Sequence, residues 1–291
     1  MIAAFADGVA DMGLRVGYIV VALLALAAVD AAAVATAAQP RRIASLNLCT
    51  DQLLLMLVPR SRIVSVTDWA VRPESSYMAK AARGLPLNRG LAEGVLPLDP
   101  DLIIAGQFND AAMLALLRRL GYRVEVVSVP RNLNEARAYI LHFGELVGEP
   151  EAARALVRDM DERLARIARR VRDLPAPLAA VYAPNGVTVG RDTVLDDILT
   201  HAGFRNLAAE QGVVGYGQFS LEQLLAAQPQ WLVLDVTADD AAGDSIAHRY
   251  LEHPALQALV RRAQVVVMPP RLSECVGPMT VAAIEMLVAR R

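Results

Sequence analysis

The sequence predicts an α/β protein of two Rossmann-like lobes, each with a mainly parallel sheet, joined by a single long α-helix. Three observations predict it. Short β-like runs alternate with helical runs from Ile43 onward, the pattern expected where helices cover both faces of a parallel sheet. That rhythm stops after Pro130 for two long helical stretches and resumes beyond "LPAPL". Finally, "AEGVLPLDPDLIIAG", Ala92 to Gly106, returns in altered form as "LEQLLAAQPQWLVLD", Leu221 to Asp235. Glu93 and Pro100 in the first copy stand at the same offset as Glu222 and Pro229 in the second.

Residues 1–38 differ in composition from the rest. Arg15 is their only basic residue, an apolar run follows from Gly17 to Val29, and "AAAVATAA" leads to Gln39. This reads as a secretory signal peptide whose apolar run is short for a membrane span of about 20 residues. Cleavage is expected near Ala35 to Ala38, and translation starts at Met1 or Met12. No cysteine closes the apolar run, so no lipid attachment is expected there. The expected product is a soluble protein of a Gram-negative periplasm, divided into an N-terminal lobe (39–130), a helical connector (131–174) and a C-terminal lobe (175–291).

In the first lobe "RIASLN" leads into the helix "TDQLLLML", with Thr50 expected as its N-cap. The strands "RIVSVT" and "DLIIAG" follow, then the helix "NDAAMLALLRRLG" and the strand "YRVEVVSV". In the connector Asn132 and Glu135 have capping-box spacing, Gly148 marks a stop, and Pro150 suits the first turn of the next helix. Leu156, Met160, Leu164, Ile167, Val171 and Leu174 then recur at steps of four and three, which predicts a helix from Glu151 to Asp173 about 35 Å long. The second lobe reads "LAAVYA", "TVLDDILTHAG", "SLEQLLAAQ", "WLVLDV", "HPALQALVRR", "QVVVMP" and a last helix opened by Pro278. A second echo, "LLRRLGYRVEVV" against "LVRRAQVVVM", joins the first, and Glu93 and Glu222 are expected to begin equivalent helices.

Composition excludes some functions. With 55% hydrophobic residues in 291 the chain has material for sizeable cores, and a net charge of −2 supplies no basic field for nucleic acid. There is no G-x-S-x-G elbow and no Walker loop, and "GYGQFS" lacks the third glycine of a dinucleotide fingerprint. His142, His201, His248 and His253 fall away from the predicted strand ends, so no catalytic residue, no metal ligand and no resident cofactor is expected. The two cysteines, Cys49 and Cys275, leave three readings open: one disulfide, free thiols in a cleft, or small buried residues. A bridge between them would tie the lobes together. An exported α/β enzyme using Cys49 as nucleophile is the competing functional class.

Ligands of open α/β sheets bind beyond the carboxyl ends of the strands. By that rule the cleft should be lined by Leu48, Cys49, Trp69, Gln107, Phe108, Tyr182, Asn185, Arg271 and Cys275. Arg72, Arg89, Arg131, Arg191 and Arg271 all fall in or beside inter-element segments, and Arg89 and Arg271 are the candidates to grip an anionic ligand.

The ordered set "RRIASLNLCTDQLLLML", "VLPLDPDLIIAG", the long helix, "GYGQFSLEQLLAAQPQWLVL" and "RLSECVGPMT" resembles the helical-backbone periplasmic solute-binding proteins for iron chelates and cobalamin. These proteins serve ATP-driven importers. The resemblance implies little domain closure, a cargo that is a metal chelate (ferric siderophore, haem or corrinoid), and delivery by a monomer to a permease dimer in the inner membrane. It matches Trp69 and Tyr216 to aromatic ligand contacts. Glu93 and Glu222 match the carboxylates that meet permease arginines, one per lobe; by themselves, each also suits a helix N-terminus.

Overall fold

The computed structural model describes residues 39–235 and 253–291; the expected signal peptide and His248 fall outside the described residues. Residues Pro40 to Arg291 cluster as one compact unit.

The first sheet holds five parallel strands: β1 (Ile43–Ser45), β2 (Ile63–Thr67), β3 (Leu87–Asn88), β4 (Leu102–Gly106) and β5 (Val124–Val127), in the order β3-β2-β1-β4-β5. All of β1 and β4 is buried, as befits central strands covered on both faces. Helices α1 (Leu48–Leu57), α2 (Ala79–Ala82) and α3 (Ala111–Arg119) belong to this half. Thr50 does not cap α1. Asn47 does, its side chain accepting the Cys49 N–H at 2.9 Å, while the Thr50 hydroxyl donates back to the Asn47 carbonyl. Asparagine in extended backbone outcompetes a threonine already inside the first turn.

Two helices follow. In α4 (Leu133–Val147) Asn132 accepts the Glu135 N–H, but the Glu135 carboxylate turns to Arg131 instead of closing the box. Gly148, left-handed at φ 74, ends α4, and Pro150 opens α5 (Pro150–Val171). The 22 residues of α5 span about 33 Å. Its buried stripe is Ala153, Met160, Leu164 and Ile167, with Leu156 and Val171 half-buried and Leu174 exposed past the helix end.

The second sheet repeats the plan. Its parallel strands β6 (Leu178–Tyr182), β8 (Arg205–Asn206), β10 (Trp231–Asp235) and β11 (Gln264–Met268) lie in the order β11-β10-β6-β8. They take the places of β1, β2, β4 and β5. Between them come α6 (Val194–His201), α7 (Leu207–Glu210), α8 (Leu221–Ala227), α9 (Pro254–Val260) and α10 (Pro270–Ser273); α11 (Pro278–Arg290) follows last. β7 (Val187–Val189) and β9 (Tyr216–Gln218) form a separate antiparallel pair. One central core joins both halves through Ile43, Ile104, Phe143, Met160, Val181 and Ile284, and a smaller core backs each sheet. The helices between the sheets are therefore part of a shared interior. They are not a bare strut.

Glu93 does not begin an α-helix. Two 3-10 turns, Ala92–Gly94 and Leu96–Leu98, occupy that segment. Pro97 removes an amide donor and Gly94 weakens helical order, so the segment is cut into two tight turns.

Candidate functional site

The loops beyond β1, β2 and β4 are knitted by asparagines. Asn109 accepts the Gly106 N–H at 2.8 Å and donates to the Leu46 carbonyl at 3.0 Å. Asn88 donates to the Ser45 carbonyl and the Ser65 hydroxyl, and accepts the Gly90 N–H, which fixes the backbone on both sides of Arg89. Gly90 has φ 72, and a Cβ there would stand 3.2 Å from the Leu46 carbonyl oxygen, so the turn calls for glycine twice over. The next loop is pinned by Asp51 of α1. Its buried carboxylate accepts the Thr67 N–H and hydroxyl, and burial pushes it up to about 7. Trp69 follows at once in a 3-10 turn, Asp68–Val71. The Arg72 guanidinium lies 4.0 Å from the Trp69 ring centroid and pairs with Asp68 at 3.1 Å.

In the second half the Arg191 N–H donates to the Val213 carbonyl and the Gly190 N–H to that of Gly215. A Cβ on Gly190 would fall 2.1 Å from the Val213 oxygen, so only glycine allows this approach, which sets the strand carrying Tyr216. Tyr216 and Phe108 are each 79% exposed and Trp69 is 47% exposed. The second half also meets the connecting helices directly. Asp197 of α6 accepts the Leu133 N–H at 2.6 Å; burial pushes its carboxyl up, but His201 and that N–H outweigh burial and hold it below the usual range.

Two adjoining hollows result. One, about 550 Å³, is lined from the first half by Gln107, Phe108 and Arg131 and from the second by Asp192, Tyr216, Asp235 and Glu274. The other, about 390 Å³, is lined by Leu48, Trp69, Arg89 and again Glu274. Gln107 is held by the neighbouring loop after β5, its side-chain oxygen accepting the Val129 N–H. Cys49 and Cys275 form a disulfide across 226 residues, with Cα atoms 5.4 Å apart. It tethers the start of α1 to the loop after α10, and its chain neighbours Leu48 and Glu274 line the same hollow.

Six of the eleven residues named from sequence thus line the two hollows, and the cysteines form the bridge beside them. Three do not line the cleft: Asn185, in the turn Pro184–Gly186 after β6, Tyr182 and Arg271. Tyr182 has no exposed surface; at the end of β6 it packs with Ala180, Leu207 and Phe219 in the core behind the second sheet. Strand alternation decided this, because the end of a strand can face the layer behind as well as the cleft. Arg271 lines a separate hollow with Tyr77 and Lys80, and its N–H donates to the Glu74 carbonyl at 3.1 Å. Glu274 and Asp235, which do line the cleft, were missed; the only signal in the sequence was their place after β11 and at the end of β10. Among the described residues no group of histidine, cysteine or carboxylate side chains forms a metal site. His201 bonds Asp197, and His253 caps α9.

Glu93 and Glu222 are both exposed. Ser220 and Gln223 complete a capping box on α8, while the Glu222 carboxyl is held below the usual range by its own backbone N–H and by Ser220.

Comparison with known proteins gives a consistent result. The family model described as "Periplasmic binding protein" matches residues 43–272. A curated cobalamin-binding protein of Halobacterium salinarum is 28% identical over 205 residues, covering 69% of this chain and 55% of its own, so the chain spans about half the length of that relative. A Bacillus subtilis protein described as an uncharacterized ABC transporter substrate-binding lipoprotein is 23% identical over 220 residues, 72% of this chain and 68% of its own. Among solved structures, a periplasmic heme-binding protein from Pseudomonas aeruginosa superposes with TM-score 0.69 at 29% identity, over 86% of this chain and 92% of that one. The vitamin B12-binding protein of Vibrio cholerae shares the fold, with TM-score 0.61 at 22% identity, over 86% and 96%.

Proposed function

The chain belongs to the periplasmic binding protein family, and from that premise we propose that it is the substrate-binding component of an ATP-driven importer. In this reading it captures a metal chelate, a corrinoid, haem or ferric siderophore, between its two halves and carries it as a monomer to a permease dimer in the inner membrane. Residues 1–38 direct its export to the periplasm and are removed, leaving the mature protein without a lipid anchor. The protein acts by binding, without turnover. The observation that carries this reading is the pair of hollows at the strand ends of both sheets, walled by the exposed aromatic rings of Trp69, Phe108 and Tyr216 and meeting at Glu274. Flat aromatic faces suit a large planar ligand. Relatives described as cobalamin-binding and heme-binding support the same ligand classes. The competing thiol enzyme loses its nucleophile, because the Cys49 sulfur is bonded to Cys275.

Glu93 and Glu222 are the proposed docking pair. A carboxylate on each half of a pseudo-symmetric carrier would meet arginines of a two-fold permease and set register and encounter rate. Titration of the purified protein with haemin, cyanocobalamin and a ferric siderophore, followed by Trp69 fluorescence and by mass analysis of the ligand, tests the binding role. Saturable binding with the ligand recovered intact is expected; chemical conversion of the ligand would overturn it. Glu93→Lys and Glu222→Lys should each slow association with the permease by about tenfold and leave chelate affinity unchanged.

A further inference from the structure

The cleft has one fastened edge and one loose edge. At the fastened edge α10 of the second half is held to the first half on both sides. The Arg271 N–H, near its start, donates to the Glu74 carbonyl at 3.1 Å, and Cys275, just past its end, is bonded to Cys49 in the first turn of α1. Leu272 and Cys275 are buried in the central core, and Leu48 and Cys49 pack against it. Leu48 and Glu274, the walls of the smaller hollow from the first and second halves, are the chain neighbours of the bonded cysteines. Their spacing is therefore set by a covalent link. At the loose edge the larger hollow runs between Phe108 and Tyr216, both largely exposed. Among the described residues no hydrogen bond joins the loop 107–109 to the segment 214–218; each is bonded within its own half.

We propose that the Cys49–Cys275 bridge positions the two walls of the cleft for cargo and sets how long the cargo stays, leaving the Phe108–Tyr216 edge as the one that yields. The proposal rests on the receptor reading above and adds the control of residence time. A bound ligand leaves when the walls part. With the bridge intact, parting is confined to the loose edge, so the Leu48 and Glu274 walls stay at the ligand together. With the bridge cut, that fastening rests on the Arg271 hydrogen bond and on packing, and the walls separate more often. A preorganised site gains affinity by avoiding such excursions, and the gain is read chiefly in the dissociation rate.

The test compares the wild type with a variant carrying both Cys49→Ser and Cys275→Ser. Association and dissociation rates are measured by stopped flow with haemin, cyanocobalamin and a ferric tris-catecholate complex as probes. For each probe that binds, the variant should release it at least about tenfold faster, with association changed by less than about threefold. A purely structural role would lower the number of sites per protein through partial unfolding and leave the release rate of the folded fraction unchanged. Hydrogen exchange supplies a readout without ligand. The Arg271 amide should exchange at least about tenfold faster in the variant, and the Leu133 amide, held by Asp197, should change by less than about threefold. If the variant does not fold, the wild-type protein reduced by a water-soluble phosphine takes its place. The phosphine gains the oxygen of a water molecule and becomes its oxide, while each sulfur gains one hydrogen as the S–S bond breaks. A folded, cut protein that releases the probe at the wild-type rate overturns the proposal and leaves the receptor reading standing. A wild type that binds none of the three probes overturns both.

Discussion

The segments Leu91–Leu102 and Ser220–Trp231 occupy the same place in the two halves and are built differently. Position for position they share nearly one burial pattern: Val95 and Leu224 are buried, as are Pro100 and Pro229, whereas Glu93 and Glu222 are exposed. Each has a left-handed residue before its proline, Asp99 at φ 42 and Gln228 at φ 46, and each enters its strand two residues after that proline. Yet the first runs as two 3-10 turns without a side-chain cap, and the second as an α-helix with a full capping box. What recurs is the set of inward contacts and the turn into the strand. The hydrogen-bond pattern between them is free to vary, because the core reads only which side chains arrive.

A second pair sharpens the point. In the first half Asp51 of α1 reaches the end of β2 at Thr67; in the second Asp196 of α6 reaches Asn206 of β8 at 2.8 Å. Both carboxylates stitch the first helix of their half to its second strand. Asp51 is wholly buried, whereas Asp196 is only half-buried.

The largest effect should come from cutting the covalent tie between the halves. Replacing Cys49 and Cys275 with serine frees a 226-residue separation and, on the loop-entropy model, should lower the unfolding free energy by about 5 kcal/mol in urea titration. The shared core predicts that unfolding stays a single transition; two resolved transitions would make the halves independent units. Next comes Asp51. Its folded value of about 7 lies above the ordinary aspartate value of 3.8, so its stabilising contribution is full below about pH 4 and is lost as pH rises through about 7. Asp51→Asn should flatten that decline, a difference on the order of 4 kcal/mol between pH 4 and 8, read from urea midpoints. A slope equal to that of the wild type would show that the carboxylate is not held in an apolar setting. The smallest effect tests the caps: Ser220→Ala should cost about 1 kcal/mol in thermal unfolding, and Leu91→Ala at the matching position much less.

Much of this was legible in the chain. Every strand and helix quoted from sequence in the described residues has its counterpart, apart from the segment at Glu93, because alternating short apolar runs and a stripe at steps of four and three leave few other ways to bury those side chains. Gly148, Pro150 and Pro278 mark their helix ends through local backbone chemistry. Trp69 and Phe108 were found because strand-end loops concentrate at one edge of a parallel sheet, whereas Tyr216 came from the family resemblance.

The linear order of residues by itself determined the α/β class, the repeated plan of the halves and the edge at which a ligand meets them, since these follow from periodicities a few residues long. Only the tertiary structure decided that Cys49 bonds Cys275, that Tyr182 turns into the core while Arg271 leaves the cleft, and that Glu274 stands where the two hollows meet. Those outcomes depend on which face of a distant element a side chain approaches. That is a packing result between residues far apart in the chain, and no local pattern encodes it.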